Sequence, residues 1–265
     1  MGFYLNFVGV GNFPCITKRE IKTMPKTKGY VLYEGPSRIN GESIVAILTL
    51  ESTNKKTGNM AQLWILAKDI PPHIAQKTGD DDAVCGDCPI KKECYVITFQ
   101  GPLSVWSAYK RGTYENLSDG LEIGNRFKLY DKNSLILPGL MDLIIRFGAY
   151  GDPAALPKWL IKTISKNCKD FTGYTHQWNK RKFNYLKNYF MASVETKKLA
   201  EKALKKGFRY FRIKPENAIN FENEITCPSD IGIQCIDCKL CNGSKQAKNI
   251  TIEAHGARAR GIAYV

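Results

Sequence analysis

Hydrophobic and polar positions in the first third of the chain follow the pattern of half-buried strands. Turn-forming Gly, Pro and Asn residues separate the apolar runs, which are rich in β-branched and aromatic residues. The runs lie at residues 30–35 (YVLYEG), 43–50 (SIVAILTL) and 60–69 (MAQLWILAKD). The pattern predicts an antiparallel β platform of three or more strands.

From residue 136 onward, strand patterns alternate with helix patterns. Strand runs lie at 143–148, 189–194 and 208–213, and FTGYTHQW ends another strand. Helical periodicity covers 157–166 and 195–207, and Gly207 closes the second helix. Strands joined by crossover helices build a parallel sheet or a partial barrel, with ligand groups at the carboxyl ends of the strands. We therefore expect an α/β protein with a partial parallel βα barrel-like core and an N-terminal antiparallel β platform.

The predicted elements divide the chain into two units. Residues 1–84 form the β platform, and residues 85–265 form a βα domain that carries the cysteine clusters; the two can also be one continuous domain. A length of 265 residues suits either arrangement. No run reaches the roughly 18 apolar residues of a membrane span, and the N-terminus lacks a secretory signal pattern. We expect a cytoplasmic protein without membrane contact.

The positive charge is concentrated in one stretch of the chain. The net charge is +14, and residues 158–214 hold 16 Lys and Arg against 3 Asp and Glu. Such a stretch is typical of a surface that binds a polyanion, most often nucleic acid, although solvated helix faces give the same pattern. The candidate nucleic-acid-binding residues are the basic Lys180, Arg181 and Lys182 and the aromatic Trp178 and Tyr185.

Nine cysteines in a chain without a secretory signal are not expected to form a disulfide framework. Seven of them fall into two short segments. The first, CGDCPIKKEC, has the spacing C-x2-C-x5-C, and the second, CPSDIGIQCIDCKLC, has the spacing C-x7-C-x2-C-x2-C. The predicted metal ligands are therefore Cys85, Cys88, Cys94, Cys227, Cys235, Cys238 and Cys241.

The two segments differ in how many ligands they supply. The C-terminal one has four, enough for a tetrahedral metal or a cubane cluster. Its C-x2-C-x2-C run and the pair Cys227-Pro228 are ferredoxin-like and favour a 4Fe-4S cluster; zinc and inert thiols are the alternatives. The first segment has three. Its fourth ligand comes from elsewhere, with Cys15 and Cys168 as candidates, or one position stays open for a substrate or cofactor.

Two further stretches resemble motifs of the radical S-adenosylmethionine enzymes. FGAYGDPAALPKW is similar to the glycine-rich turn of that superfamily, and MASVETKKLAEKALKKGFRYFRI to a later strand, helix and strand. The resemblance covers residues 85–241. It implies that the first three cysteines hold a 4Fe-4S cluster that chelates S-adenosylmethionine, and that the C-terminal cysteines hold an auxiliary cluster. The residues expected near the cofactor, at predicted strand ends, are Gly148, Tyr150, Gly151, Asp152, His176 and Ser193.

The spacing C-x2-C-x5-C differs from the superfamily's usual C-x3-C-x2-C, so the sequence leaves open whether the protein is an enzyme. As a whole, the chain resembles an uncharacterised family of bacteriophage-encoded proteins through EGPSRINGESIVAILTL, CGDCPIKKECY and GYTHQW. That resemblance implies a viral protein in a bacterial cytoplasm and supplies no established activity. The expected function is an iron-sulfur protein acting on nucleic acid or nucleotides. The alternative is a non-enzymatic nucleic-acid-binding protein with structural zinc or iron-sulfur sites.

Overall fold

The three predicted N-terminal strands form, and they pair antiparallel as expected. The computed structural model describes residues 27–117 and 140–254 of the chain. Its first strands are β1 (Gly29–Pro36), β2 (Ser43–Thr49) and β3 (Ala61–Ala67), in the order β1-β2-β3. In the central strand, all residues from Ile44 to Leu48 are buried, so both faces of this part of the sheet are covered.

The same sheet continues with parallel strands from later in the chain. Strand β5 (Ile144–Tyr150) pairs parallel with β3, and β6 (Asp170–Thr172) pairs parallel with β5. The short strand β4 (Glu115–Asn116) lies at the opposite edge beside β1. The full order is β4-β1-β2-β3-β5-β6. One hydrogen-bonded sheet therefore contains strands from both predicted units.

A second sheet has five strands, and all of them are parallel. The strands are β7 (Tyr174–Thr175), β8 (Met191–Val194), β9 (Tyr210–Lys214), β10 (Glu224–Thr226) and β11 (Asn249–Glu253). Their order in the sheet is β10-β11-β9-β8-β7. Strands β8 and β9 fall on predicted runs, whereas β10 and β11 lie beyond them. The result is a mixed α/β architecture, and the strands within the described ranges form two sheets without closing into a barrel.

The two long predicted helices are present, with shorter helices around them. A side-chain cap starts the second of them, because the Thr196 hydroxyl accepts a hydrogen bond from Leu199 N at 3.2 Å. The α-helices are α1 (Pro72–Thr78), α2 (Asp82–Cys85), α3 (Gly101–Lys110), α4 (Lys158–Asn167), α5 (Lys197–Lys205) and α6 (Cys235–Cys238). Short 3-10 helices cover Leu140–Asp142, Pro153–Ala155, Gln177–Asn179, Arg181–Asn188 and Pro228–Ile231.

Gly173 separates two strands that were expected to be one. The run FTGYTHQW divides into β6 in the first sheet and β7 in the second. A Cβ atom on Gly173 would lie 2.9 Å from the Phe190 ring, so only glycine fits at this junction. Gly173 N donates to Cys241 O at 3.1 Å, and Met191 N donates to Gly173 O at 3.1 Å. The junction of the sheets is thus held against the C-terminal cysteine segment.

A small apolar core of the second sheet brings the two cysteine segments to the same region. Its buried residues come mainly from β8, β9 and β11: Ile90, Met191, Phe211, Ile213, Ile250 and Ile252. Cys88 of the first segment packs against this core, as do Cys227 and Cys241 of the C-terminal segment. Segments that are far apart in sequence therefore share one packing surface.

Candidate functional site

Backbone hydrogen bonds fix the C-terminal cysteine segment in two places. Cys227 follows directly after β10, and its N–H donates to Thr251 O of β11 at 2.8 Å. Cys235 N donates to Lys56 O at 3.0 Å, so α6 is tied to the turn between β2 and β3. A Cβ atom on Gly58 in that turn would lie 2.6 Å from Gln234 Oε1, which shows how closely the two pack. All four cysteines line one cavity.

Burial and neighbouring thiols raise the pKa of two of the four C-terminal cysteines, Cys235 and Cys241. Burial raises the pKa of the Cys241 thiol, and the charges of Cys227, Cys235 and Cys238 raise it further. Burial also raises the pKa of Cys235, while the nearby Arg146 guanidinium acts in the opposite direction. Cysteine binds a metal as the thiolate, so a bound metal cation would have to offset the raised pKa of these thiols.

The cysteines do not converge on one point. Within residues 27–117 and 140–254, no group of three or more His, Cys, Asp or Glu side chains is arranged to hold a metal ion. A single zinc ion with Zn–S bonds of about 2.3 Å needs four sulfurs within about 4 Å of one another. In a cubane cluster each thiolate binds a different iron, so the sulfurs lie farther apart. All eight cysteines of these ranges are free thiols.

The first cysteine segment begins at the end of α2 and turns sharply after it. Gly86 has φ +60°, and a Cβ atom there would lie 2.7 Å from the Gln177 amide nitrogen. That amide donates to Cys85 O at 3.0 Å and holds the turn. Burial, together with the charges of Asp152, Cys94 and Glu195, raises the pKa of the Cys88 thiol to about 12, although a backbone hydrogen bond at Ile90 lowers it. Thiols and carboxyls of distant segments therefore meet here.

The predicted cofactor-binding residues of the glycine-rich turn come together at the end of β5. Gly148 and Gly151 have φ values of +69° and +81°, and a Cβ atom on either would lie within 2.6 Å of a backbone oxygen. Asp152 accepts hydrogen bonds from Ala154 N at 2.8 Å and from His176 N at 2.7 Å. Burial raises the pKa of Asp152 to about 6, although these bonds lower it. The hydroxyl of Tyr150 lies beside the Cys85 thiol.

Several buried polar atoms near the first segment have no hydrogen-bond partner among the described residues. They include His176 Nε2, Ser193 Oγ and both carboxylate oxygens of Glu195. His176 Nε2 and Glu195 Oε1 are 3.8 Å apart, beyond hydrogen-bond distance, and the Glu195 side chain is only 1% exposed. Burial lowers the pKa of His176 to about 4 and raises that of Glu195 to about 7. The imidazole is thus neutral at physiological pH, and the carboxyl group titrates close to it.

Sequence reasoning missed Glu195. Glu195 directly follows β8, and a carboxylate at the carboxyl end of a parallel strand was a signal that could have identified it. Arg146 lies between the two cysteine segments. Its guanidinium donates to Tyr95 Oη at 2.9 Å, directly after the first segment, and lies near Cys235 of the C-terminal segment. Of the proposed fourth ligands, Cys15 lies outside the described residues, and Cys168 Sγ donates to Asp170 O at 3.4 Å.

The predicted nucleic-acid-binding residues divide into exposed cations and packed aromatics. Arg181 and Lys182 are exposed, and Lys180 forms an ion pair with Asp87 at 2.7 Å. Trp178 is only 3% exposed and donates to Ser193 O at 2.9 Å, so the prediction that it stacks on a base is wrong for this conformation. Tyr185 is half-buried beneath the ammonium group of Lys158, 5.1 Å from it.

Comparison of the chain with protein-family models, curated proteins and solved structures found no match. None of the helices within the described ranges has the length and apolar character needed to cross a bilayer.

Proposed function

We propose that this protein binds iron-sulfur clusters and resembles the radical S-adenosylmethionine enzymes, with nucleic acid or a nucleotide as its substrate. Cys227, Cys235, Cys238 and Cys241 would hold one 4Fe-4S cluster with all four ligands. Cys85, Cys88 and Cys94 would hold a second cluster with one open iron. The parallel strands β5 to β11 would act as the partial barrel of that superfamily, in a viral protein of a bacterial cytoplasm. S-adenosylmethionine bound at the open iron would supply radical chemistry.

The observation that carries this proposal is the set of unpaired buried groups beside the three-cysteine segment. A buried polar atom without a hydrogen bond costs about 1–3 kcal/mol, so four such atoms together are costly unless a ligand pairs with them. His176, Ser193 and Glu195 lie in or directly after β7 and β8, and Tyr150 and Asp152 lie at the end of β5. Carboxyl ends of parallel strands are where α/β proteins bind ligands.

Anaerobic purification followed by iron, sulfide and zinc analysis tests the metal part of the proposal. We expect iron and acid-labile sulfide in equal amounts and a broad visible absorbance, because thiolate-bound iron-sulfur clusters are coloured. Replacing Cys235 and Cys238 with serine should remove about half of the iron, whereas Cys168→Ser, a control outside both segments, should retain all of it. A colourless protein with stoichiometric zinc would contradict the proposal and leave a structural zinc protein.

Electron paramagnetic resonance of the reduced protein tests the open iron. Adding S-adenosylmethionine should change the signal of the cluster on Cys85, Cys88 and Cys94. The change should persist in a variant that lacks the C-terminal cluster and should weaken in Ser193→Ala. An unchanged signal in a protein that holds both clusters would count against an enzyme.

A second candidate function, nucleic-acid binding without catalysis, is favoured by a basic groove beside β1. Arg38, Lys158 and Lys162 line it together with the rings of Tyr33 and Trp159, and the residues of the described ranges contribute no acidic side chain to it. Lys182 extends this charge, since its ammonium group donates to Ile39 O at 3.0 Å. This combination is typical of a site for single-stranded nucleic acid, because the cations can neutralise its phosphates and the aromatic rings can stack on its bases.

Salt titration of single-stranded DNA binding tests the second candidate. Replacing Lys180, Arg181 and Lys182 with alanine should weaken binding and make the affinity less dependent on salt. The slope of log affinity against log salt concentration should become shallower by about 0.7 for each phosphate that is no longer neutralised. The matched control replaces Lys197, Lys198 and Lys202 on α5, which removes the same charge from a different surface. Equal weakening in both variants would mean that only the net charge matters.

A further inference from the structure

A cavity of about 300 Å³ lies over the second sheet, separate from the unpaired groups described above. Strands β9 and β11 supply its apolar floor through Phe211, Ile213, Ile250 and Ile252. The C-terminal cysteines form one wall, and Tyr95, Tyr174 and Arg146 form another. The other charged residues that line the cavity are two lysines and two glutamates: Lys56, Lys239, Glu93 and Glu253. We call it the Arg146 cavity. Its volume is at the lower end of the range for small-molecule sites, and mostly apolar walls with a few polar groups are typical of them.

Arg146 projects into this cavity because of its position in β5. Its neighbours Ile145 and Phe147 are buried in the main core, so Arg146 faces the other side of the strand. The guanidinium donates to Tyr95 Oη at 2.9 Å, and Tyr95 Oη lies 3.2 Å from Tyr174 Oη. Two phenols therefore hold the cation in place. The remaining N–H donors of its planar fork are not committed to a carboxylate.

The missing counter-charge distinguishes Arg146 from the other arginine of the parallel strands. Arg212 in β9 is neutralised by Glu224, with two hydrogen bonds of 2.7 and 2.6 Å. No carboxylate within residues 27–117 or 140–254 forms an ion pair with Arg146. A guanidinium beside apolar walls is costly unless an anion approaches it, and its fork matches carboxylate and phosphate oxygens.

We propose that the Arg146 cavity binds a small molecule with a carboxylate or phosphate group on an aromatic or aliphatic body. Arg146 would hold the oxyanion, and the apolar floor would cover the body. The ring of Tyr174 is stacked on Phe211 at 4.8 Å with an interplanar angle of 10°, which gives the cavity a flat aromatic wall. The C-terminal cluster would lie against the cysteine wall of this cavity, so the ligand would occupy the side lined by Arg146, Tyr174 and Phe211. This inference goes beyond the proposed cluster chemistry, because metal analysis tests the cluster and probe binding tests the Arg146 side.

Binding of matched probes to the anaerobically purified protein tests the inference. Hydrocinnamate and hydrocinnamamide have the same shape and differ in charge, and phenyl phosphate replaces the carboxylate with a phosphate. Calorimetry or ligand-observed NMR should show at least one of the two anions binding about tenfold or more tightly than the amide, as a charge-assisted bidentate contact requires. The ratio between the two anions identifies the preferred oxyanion.

Substitution of the cation completes the test. Arg146→Gln should abolish the preference for the anion, whereas Arg38→Gln, which removes an arginine from the other groove, should leave it unchanged. If Arg146→Gln does not fold, the comparison of anion and amide in the unmodified protein still decides. Equal binding of anions and amide, no binding of any probe at millimolar concentration, or a preference that survives Arg146→Gln would each overturn the inference. A shift of the cluster's reduction potential in Arg146→Gln without probe binding would also overturn it, because the cation would then serve the thiolates alone.

Discussion

Replacing Glu224 with glutamine is expected to lower the free energy of unfolding by about 3–5 kcal/mol. Arg212 and Glu224 form a bidentate ion pair with both side chains at most 4% exposed. Glu224 also accepts a hydrogen bond from Phe221 N at 2.9 Å, and Arg212 donates to Ile219 O at 2.9 Å. The pair therefore ties β9 to the loop that leads into β10 and Cys227.

The magnitude follows from what the substitution leaves behind. Each hydrogen bond to a charged group contributes about 1.5–3 kcal/mol, and glutamine can accept only one of the two that Glu224 accepts from Arg212. Its NH₂ group then faces an N–H donor, and the Arg212 charge stays buried without a counter-charge. Removing both charges together avoids that penalty. The double variant Arg212→Met with Glu224→Leu should therefore be more stable than Glu224→Gln.

Urea unfolding monitored by fluorescence measures these differences, with the variants compared at equal m-values. The matched control is Asp69→Asn, which breaks the exposed ion pair to Lys110 at 3.1 Å and should cost no more than about 1 kcal/mol. Loss of a carboxylate charge thus has two expected costs, because the Arg212–Glu224 pair is buried and bidentate, whereas the Asp69–Lys110 pair is exposed and has one contact. If Glu224→Gln and Asp69→Asn destabilise the protein equally, the reasoning from burial is wrong.

Three further predictions concern Glu195, Gly243 and Thr196. Because burial raises the pKa of Glu195 from 4.5 to about 7, the folded state holds a proton that the unfolded state releases, and stability is lost as the pH rises through this window. The free energy of unfolding of Glu195→Gln relative to the unmodified protein should therefore increase by up to about 3 kcal/mol between about pH 4.5 and pH 8; a pH-independent difference would contradict this. Gly243→Ala would bring a Cβ atom to 2.3 Å from the Phe190 carbonyl carbon, so thermal unfolding should report a loss of about 1–3 kcal/mol or more. Thr196→Ala removes the cap of α5 and should cost about 1 kcal/mol, whereas Thr196→Ser should cost much less.

The sequence predicted those parts of the fold that local patterns determine. Strands β1, β2 and β3 are long, rich in branched apolar residues and bounded by turn residues, and helix α5 has a cap at Thr196 and a glycine at 207. Local patterns could not predict that FTGYTHQW is divided between two sheets. The division depends on the close contact of Gly173 with the Phe190 ring and on the hydrogen bond from Gly173 N to Cys241 O, and both partners are distant in sequence. Periodicity carries no information about such partners.

The candidate site shows the same limit. Motif spacing pointed to the cysteines, a family resemblance to the glycine-rich turn, and a predicted strand end to His176. Glu195 is an ordinary charged residue in sequence, and it becomes informative only once burial leaves its carboxylate without a hydrogen-bond partner. Trp178 is the converse case. It lies beside three basic residues in sequence, but its indole faces the core.

The two cysteine segments differ in a way that gives them separate roles under the proposed function. Four thiols complete the coordination of a cubane cluster and leave no iron for a ligand, whereas three thiols leave one position open. The unpaired polar atoms of His176, Ser193 and Glu195 lie beside the segment with three thiols. Beside the four-thiol segment, a ligand paired with these atoms would find no open iron position. The open position and the unpaired polar atoms occur at the same segment, and this argues that the first segment is where the reacting molecule would bind. Under the same proposal, the C-terminal segment, which is held by Lys56 O and Thr251 O, would fix the edge of the second sheet or carry electrons.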